Sequence, residues 1–363
     1  MRTVELVIVG GGPAGLCAAK LALEAGLEVV IIDRADKLGG QLIKQTHKFF
    51  GSKAQYAKMR GIDIAKLLIN EIENHQNLEI FTSTTVVGLY PDLVLTIYDQ
   101  KKYQKIKAKR VIIATGASEK VLAFENSDLP GIYGAGAVQT LMNLYGVLPG
   151  KEVLMVGSGN IGLIVTYQLL QAGVKVKAIL EAGSTIGGYK VHAAKIRRLG
   201  IPIITNTTVS KALGTSKIEA VEIVKLDENW NKISGSEEII KTDALCLSVG
   251  LSPLHQLLSM VGAQVKYISE LGGFVARVND NFESTVKGVY VAGDAVGIEE
   301  ASAAMMEGYL SGLHVADSLN KPHPEQENLL KYYQDELELL RKGPFGLKTK
   351  IGIEKLKVGE SNA

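Results

Sequence analysis

A chain of 363 residues exceeds what a single hydrophobic core fills, roughly 250–300 residues, so two domains are expected. Hydrophobic residues make up 46% and charged residues 21%, the balance of a globular enzyme, and a net charge of +2 with no stripe of Lys or Arg excludes nucleic acid as a default partner. The two cysteines, Cys17 and Cys246, give neither a disulfide framework nor metal-ligand spacing, so no metal is expected, and a reducing cytoplasm is the simplest location. No run approaches the ~20 apolar residues of a membrane span. Arg2 and the apolar run after it mimic the start of a signal peptide, but the run stops at Gly10-Gly11-Gly12-Pro13, so no cleaved signal is expected.

Residues 4–9 are apolar apart from Glu5 and predict a strand buried in a parallel sheet. Gly10-Gly11-Gly12-Pro13-Ala14-Gly15 follows, then a helix to about Ala25 and a second buried strand over 28–32 that ends on Asp33. The acid lies near the ~20-residue spacing of a dinucleotide fingerprint. Each part has a mechanical role. Gly10 permits the tight turn, Gly12 lets the backbone approach a pyrophosphate, and Gly15 allows close helix packing. The helix N-terminus offers free N–H groups to phosphate, and Asp33 accepts from a ribose hydroxyl. The basic stretch 101–110 reads as a solvated hairpin leading into a strand.

The pattern then recurs. A strand over 152–156 precedes Gly157-Ser158-Gly159-Asn160-Ile161-Gly162, a helix runs to about Ala172, and a strand over 174–180 ends on Glu181. Two fingerprints predict two nucleotide sites, unless the second is a vestigial domain that binds nothing. Glu181 repels a 2′-phosphate and residues 182–186 hold no Arg or Lys to receive one, which favours NAD(H) over NADP(H) and equally admits ADP or ATP. Residues 325–341 form an amphipathic helix with Leu329, Leu330, Tyr333, Leu337 and Leu340 on one face, a packing surface. From Lys342 onward several lysines and no clear period predict a solvated or partner-ordered end.

Together with Val111-Ile112-Ile113-Ala114-Thr115-Gly116, Val249-Gly250-Leu251-Ser252-Pro253 and Gly288-Val289-Tyr290-Val291-Ala292-Gly293-Asp294, these fingerprints resemble the two-dinucleotide-binding-domain flavoproteins, the superfamily of thioredoxin and glutathione reductases. The resemblance implies an α/β fold of two Rossmann-like dinucleotide-binding domains, the second inserted in the first. The FAD-binding domain would comprise 1–116 and 246–320, the NAD-binding domain 117–245, and a C-terminal helix and tail 321–363. It implies FAD contacts at Gly10, Gly12, Pro13, Ala14, Gly15, Asp33, Arg34, Gly40, Gln41, Val86, Ala114, Thr115, Gly116, Gly293, Asp294, Ser302 and Ala303. Among these, Asp294 would hold the ribityl chain, and the helix beginning near Ser302 would point its N-terminus at the flavin. NAD(H) or another adenine nucleotide would meet Gly157, Gly159, Asn160, Ile161, Gly162 and Glu181.

Disulfide reductases of this superfamily carry a cysteine pair, because two thiols must close a ring to exchange a hydride equivalent with flavin. Residues 39–50 and 137–146 contain no cysteine, so disulfide reduction is not expected. The runs 40–51, 134–140 and Gly187-Gly188-Tyr189 are similar to one branch, the flavoprotein subunits of sarcosine oxidase, opine oxidase, proline and hydroxyproline dehydrogenases and hydrogen cyanide synthase. That similarity implies hetero-oligomeric partners, namely a small iron–sulfur protein and a substrate-oxidising flavoprotein subunit. Residues around Phe49-Phe50 and after Pro344 are candidate contact regions. His47 and Lys48 are the candidates for meeting flavin or a substrate carboxylate, and a merely packed His47 is the competing reading. Two other readings stay open: a free-standing NADH:acceptor reductase or NADH oxidase, and a non-catalytic nucleotide-binding subunit.

Overall fold

The computed structural model describes residues 1–357. The chain forms two compact units, Met1–Ser118 together with the chain from Ser252 onward, and Glu119–Leu251. In chain order the first carries β1 (Arg2–Val9), α1 (Pro13–Glu24), β2 (Val29–Ile32), α2 (Gly61–Asn70), β3 (Leu78–Phe81), β4 (Thr85–Leu89), β5 (Val94–Tyr98) and β6 (Tyr103–Ile113), and the short β7 (Ala117–Glu119) lies at the crossing. The second carries β8 (Ile132–Gly134), α3 (Ala135–Tyr145), β9 (Glu152–Val156), α4 (Asn160–Gln171), β10 (Lys175–Leu180), α5 (Lys190–Arg198), β11 (Ile203–Ile204), β12 (Thr207–Leu213), β13 (Ala220–Lys225), β14 (Glu238–Lys241) and β15 (Ala244–Leu247). After β16 (Leu251–Pro253) at the return crossing come α6 (Gln256–Met260), β17 (Val265–Ile268), β18 (Gly273–Ala276), β19 (Val289–Val291), α7 (Ala301–Ser318), α8 (Gln326–Leu340) and α9 (Pro344–Lys357).

The first sheet runs β3-β2-β1-β6-β5-β4, with β19 also paired to β6. β1, β2, β3, β6 and β19 are mutually parallel, which is why residues 6–9 and 29–32 read as unbroken apolar runs: both faces are covered. One face packs on α1 and α7. Gly308 and Gly312 of α7 lie against α1 so closely that a Cβ there would fall 2.2 Å from the Ala14 carbonyl oxygen and 2.5 Å from that of Ala18. This small-residue crossing has no counterpart among the sequence-based expectations. Leu16, fully buried between these layers, contributes about 1.5–3 kcal/mol by leaving water.

The second unit holds a parallel sheet β11-β10-β9-β15-β8 and an antiparallel sheet β12-β13-β14. β15 pairs with both β9 and β8, so Cys246 belongs to this sheet and the return crossing falls after Leu251, later than the expected boundary near residue 246. Nor do residues 321–357 stand apart. The predicted amphipathic helix is α8, which buries Leu337 and rests Leu329, Leu330, Tyr333 and Leu340 on the first unit's core.

The expected solvated tail is corrected by α9. Its inner face is Thr349, Gly352, Ile353 and Leu356, with Leu356 buried among Ile268, Leu271 and Val275. A helical stripe is present, but two of its members are Thr and Gly, so it carries too little apolar signal to stand out among the lysines. Residues 358–363, also part of that expected tail, lie outside the described residues. Among the described residues no helix is long and apolar enough to cross a membrane.

Candidate functional site

Register aligns the first site. Val9 pairs with both Ile32 and Ile113, and Ile113 pairs with Val291. The segments after these strands, beginning at Gly10, Asp33, Ala114 and Ala292, therefore leave one edge of the sheet together, the carboxyl edge where parallel α/β sheets bind ligands. Gly10 has φ +109°, and a Cβ would fall 2.2 Å from the Ala114 carbonyl oxygen, so both the turn and the neighbouring strand require glycine. Gly15 likewise could not carry a Cβ, which would meet the Gly10 carbonyl oxygen at 1.9 Å.

Gly12 differs. Its φ is −80°, and the nearest atom to an added Cβ is Gly40 Cα at 3.8 Å. The fold does not demand glycine here, and its absent side chain leaves room above the N-terminus of α1. Pro13 occupies the first turn of that helix, where its missing N–H costs nothing. No side chain caps the helix and no acid lies in its first turn, so its N–H groups and dipole suit a phosphate. Asp33 ties the edge together: one carboxylate oxygen accepts from the Gly11 N–H at 2.7 Å and the other from the Ala35 N–H at 2.8 Å. Gly39 donates to the Gly11 carbonyl at 2.7 Å, and Gly40 (φ +53°) presses against Gly12, where a Cβ would lie 2.8 Å from the Gly12 Cα.

Gly293 (φ +71°) brings the late motif to the same place, since a Cβ on it would meet the Ala14 Cβ at 2.9 Å and the Ala304 Cβ at 3.4 Å. The starts of α1 and α7 thus converge on the Gly293–Asp294 turn. Burial pushes the Asp294 carboxyl up to about 6 against a single weak bond from the Glu299 N–H. Ser302 and Ala303 are buried in the first turn of α7. Thr115 donates to the Leu254 carbonyl at 3.0 Å, and Gly116 has open space around its Cα. Arg34 and Gln41 are exposed, and Val86 lies partly buried in β4. His47 stacks on Phe49, ring centroids 5.7 Å apart, and Phe49 in turn leans on the core. Lys48 and Phe50 are exposed.

The second site repeats this construction. Val156 pairs with Leu180 and Leu247, aligning the segments that start at Gly157, Glu181 and Ser248. A Cβ on Gly157 (φ +98°) would fall 2.1 Å from the Ser248 carbonyl oxygen, and one on Gly162 2.1 Å from that of Gly157. Gly159 has nothing within 4 Å of an added Cβ, and α4 again lacks a side-chain cap. Glu181 accepts from the Ser158 N–H at 3.0 Å, from the Ser158 hydroxyl, and from the Gly183 N–H at 2.8 Å. Gly187-Gly188-Tyr189, in the sequence only a family marker, closes on the loop. Gly187 donates to the Ser158 hydroxyl at 3.0 Å, Gly188 to the Ser158 carbonyl at 2.8 Å, and Tyr189 to the Asn160 side-chain oxygen at 2.8 Å. Ile161 is exposed at the start of α4.

Both cysteines are buried core residues, and burial pushes the Cys17 thiol up to about 12 and raises that of Cys246 as well. Neither is poised as a thiolate nucleophile.

Residues 4–308 match the pyridine nucleotide-disulphide oxidoreductase family. The chain belongs to that family. It is 28% identical over 335 residues to the alpha subunit of sarcosine oxidase from Rhizobium meliloti (strain 1021), covering 88% of this chain and 31% of that one. It is 25% identical over 350 residues to the opine oxidase A subunit of the same organism, covering 90% of this chain and 73% of that one. The chain therefore spans under a third of the sarcosine oxidase relative. Among solved structures, L-proline dehydrogenase from P. horikoshii shares the fold with a TM-score of 0.72 and 24% identity, over 93% of this chain and 58% of that one. The mixed α/β architecture with Rossmann-type sheets and the oxidoreductase class follow from family membership.

Proposed function

We propose that this chain is the flavin- and nucleotide-binding subunit of an amine or imino-acid dehydrogenase or oxidase of the sarcosine, proline, hydroxyproline or opine type. FAD would occupy the first unit, and NAD(H) or another adenine nucleotide the second. The observation that carries the reading is Gly12: a glycine needed neither for its backbone angle nor for packing, above an uncapped helix N-terminus, on the edge where Asp33 and Gly293–Asp294 converge. Bound FAD would supply the hydride or electron transfer. The chain's own residues would orient it. The α1 N-terminus would receive the pyrophosphate, Asp33 a ribose hydroxyl and Asp294 the ribityl chain, while the start of α7 would favour negative charge on the reduced ring. At the second site Glu181 would read the adenosine ribose and reject a 2′-phosphate.

With both cysteines in core positions, disulfide chemistry is not part of the proposal, and reduced flavin must pass its electrons elsewhere. The relatives are named as subunits, which supports further subunits here as well; the partners proposed are a second flavoprotein subunit and a small iron–sulfur protein. Co-expression with neighbouring subunits, size-exclusion chromatography and a dye-linked amine-dehydrogenase assay test this. A stable complex that reduces dye with an amine or imino acid is expected. Full NADH turnover by the chain alone, with no gain from any partner, would move it to the free-standing reductases.

A further inference from the structure

The C-terminal helices lie beyond the segment that matches the family, yet one of their side chains reaches the turn assigned to flavin. Arg341 caps α8 with its guanidinium only 12% exposed, between Glu299 and Glu307. Its Nε donates to the two Glu299 carboxylate oxygens at 3.0 and 3.2 Å, and its Nη2 donates to Glu307 Oε1 at 2.5 Å. The other Glu307 oxygen accepts the Gly293 N–H at 2.9 Å, a fully buried bond. The Glu299 backbone N–H donates to Asp294 Oδ1 at 3.4 Å. A continuous polar path therefore joins the end of α8 to both residues of the Gly293–Asp294 turn.

From this geometry we infer that Arg341 is a positioning residue for flavin: it holds Glu307 under the Gly293 N–H and Glu299 beside Asp294, so that the C-terminal helix sets the shape and charge of the turn. The inference rests on the reading of the first unit as the FAD site. Charge counting supports it. Among the described residues Asp294, Glu299 and Glu307 face a single cation, Arg341; α1, packed on the other side of α7, presents Ala14 to the Gly293 turn and the buried Cys17 thiol to Tyr309, and neither supplies a charge. Burial raises both Asp294 and Glu307, and Arg341, together with the Gly293 N–H, pulls Glu307 back toward its charged form. A buried ion cluster of this kind is a poor source of net stability compared with apolar packing, whereas loss of its one cation leaves uncompensated carboxylates. The opposite flank of the same loop is fixed separately, because Ile298 donates to the Leu271 carbonyl at 3.0 Å and Leu271 packs under α9.

The test is FAD affinity of the full chain, titrated from apoprotein at about pH 6 and about pH 8.5, in wild type, Arg341→Lys, Arg341→Met and the double variant Glu307→Gln/Arg341→Met. Arg341→Met should lose at least about tenfold at the higher pH and under about threefold at the lower, where Glu307 is protonated and Asp294 partly so. Arg341→Lys should fall between, keeping the charge without the fork. The double variant should recover most of the affinity at the higher pH, since a glutamine amide oxygen still accepts the Gly293 N–H without a charge. If Arg341→Met does not fold, the lysine and double variants carry the same comparison. Unchanged affinity, a loss independent of pH, or no recovery in the double variant would overturn the inference. A wild type that takes up no FAD would overturn the reading of the site itself, and this inference with it.

Discussion

In the first unit a carboxylate reaches back from Asp33 to two backbone N–H groups, and in the second Glu181 reaches back to two N–H groups and a hydroxyl. A carboxylate has about four lone-pair positions, so Asp33 keeps two for a ligand and Glu181 keeps one. The segment that closes each loop is fastened differently as well. Gly39 and Gly40 both have left-handed backbone angles; Gly39 packs on Ile43 and donates to the Gly11 carbonyl, and Gly40 lies in close contact with Gly12. Gly187 and Gly188 have no left-handed angles, and their segment is held by the side chains of Ser158 and Asn160. Both locks share a backbone bond, Gly39 N–H to the Gly11 carbonyl and Gly188 N–H to the Ser158 carbonyl; the first adds close contact between Gly40 and Gly12, and the second adds side-chain bonds from Ser158 and Asn160. Substitutions at matching positions should therefore have different consequences.

The largest contrast lies at the closing glycines. Gly40→Ala places a Cβ 2.8 Å from the Gly12 Cα at a left-handed angle and should cost about 2–5 kcal/mol in denaturant melts. Gly187→Ala meets nothing closer than 3.8 Å at an ordinary angle and should be neutral or stabilising by up to about 1 kcal/mol. Equal losses at the two positions would dissolve the distinction between the locks.

Next come the polar lock and its acid. Glu181→Ala should weaken adenine-nucleotide binding at the second site by about 1.5–3 kcal/mol, the worth of a hydrogen bond to a charged acceptor. Ser158→Ala should cost about 1 kcal/mol at that site and leave flavin retention unchanged, because the first loop has glycine at the corresponding position. Isothermal titration with NADH, NADPH and ADP measures both. Tighter binding of NADPH than of NADH by the wild type would refute the role of Glu181.

The smallest effect is a slope with pH. Asp294, raised by burial, holds a proton in the folded state that the unfolded chain releases from about pH 4 upward. Its contribution is therefore present at low pH and lost as pH rises through about 6, and Glu307, raised for the same reason, extends the loss upward. Asp294→Asn should flatten the apoprotein melting profile between about pH 4 and 6, and an unchanged slope would place the proton elsewhere.

These contrasts mark where the sequence was legible. The two strand–glycine–helix–acid runs could be read directly, because parallel strands buried on both faces leave continuous apolar signals and the glycines punctuate them. The pairing of Gly308 and Gly312 with α1 was hidden, since small residues along an already buried helix alter no period. The helix α9 was hidden because Thr349 and Gly352 share its inner face. Arg341 was invisible for a different reason: a charged residue at a helix end reads as solvated until the fold delivers the buried Glu307 and the partly buried Glu299 to it.

The central claim, that the first unit is an FAD site built around an unobstructed Gly12, is tested most directly by the flavin content of the purified chain beside Gly12→Val. The wild type should be yellow, should release its flavin on acid precipitation because attachment is non-covalent, and should take FAD up again. Gly12→Ala should melt within about 1 kcal/mol of wild-type apoprotein, as a Cβ there meets no chain atom closer than 3.8 Å, and Gly12→Val should retain no flavin. A colourless wild type that cannot be reconstituted, or a Gly12→Val protein that still holds FAD, would contradict the account.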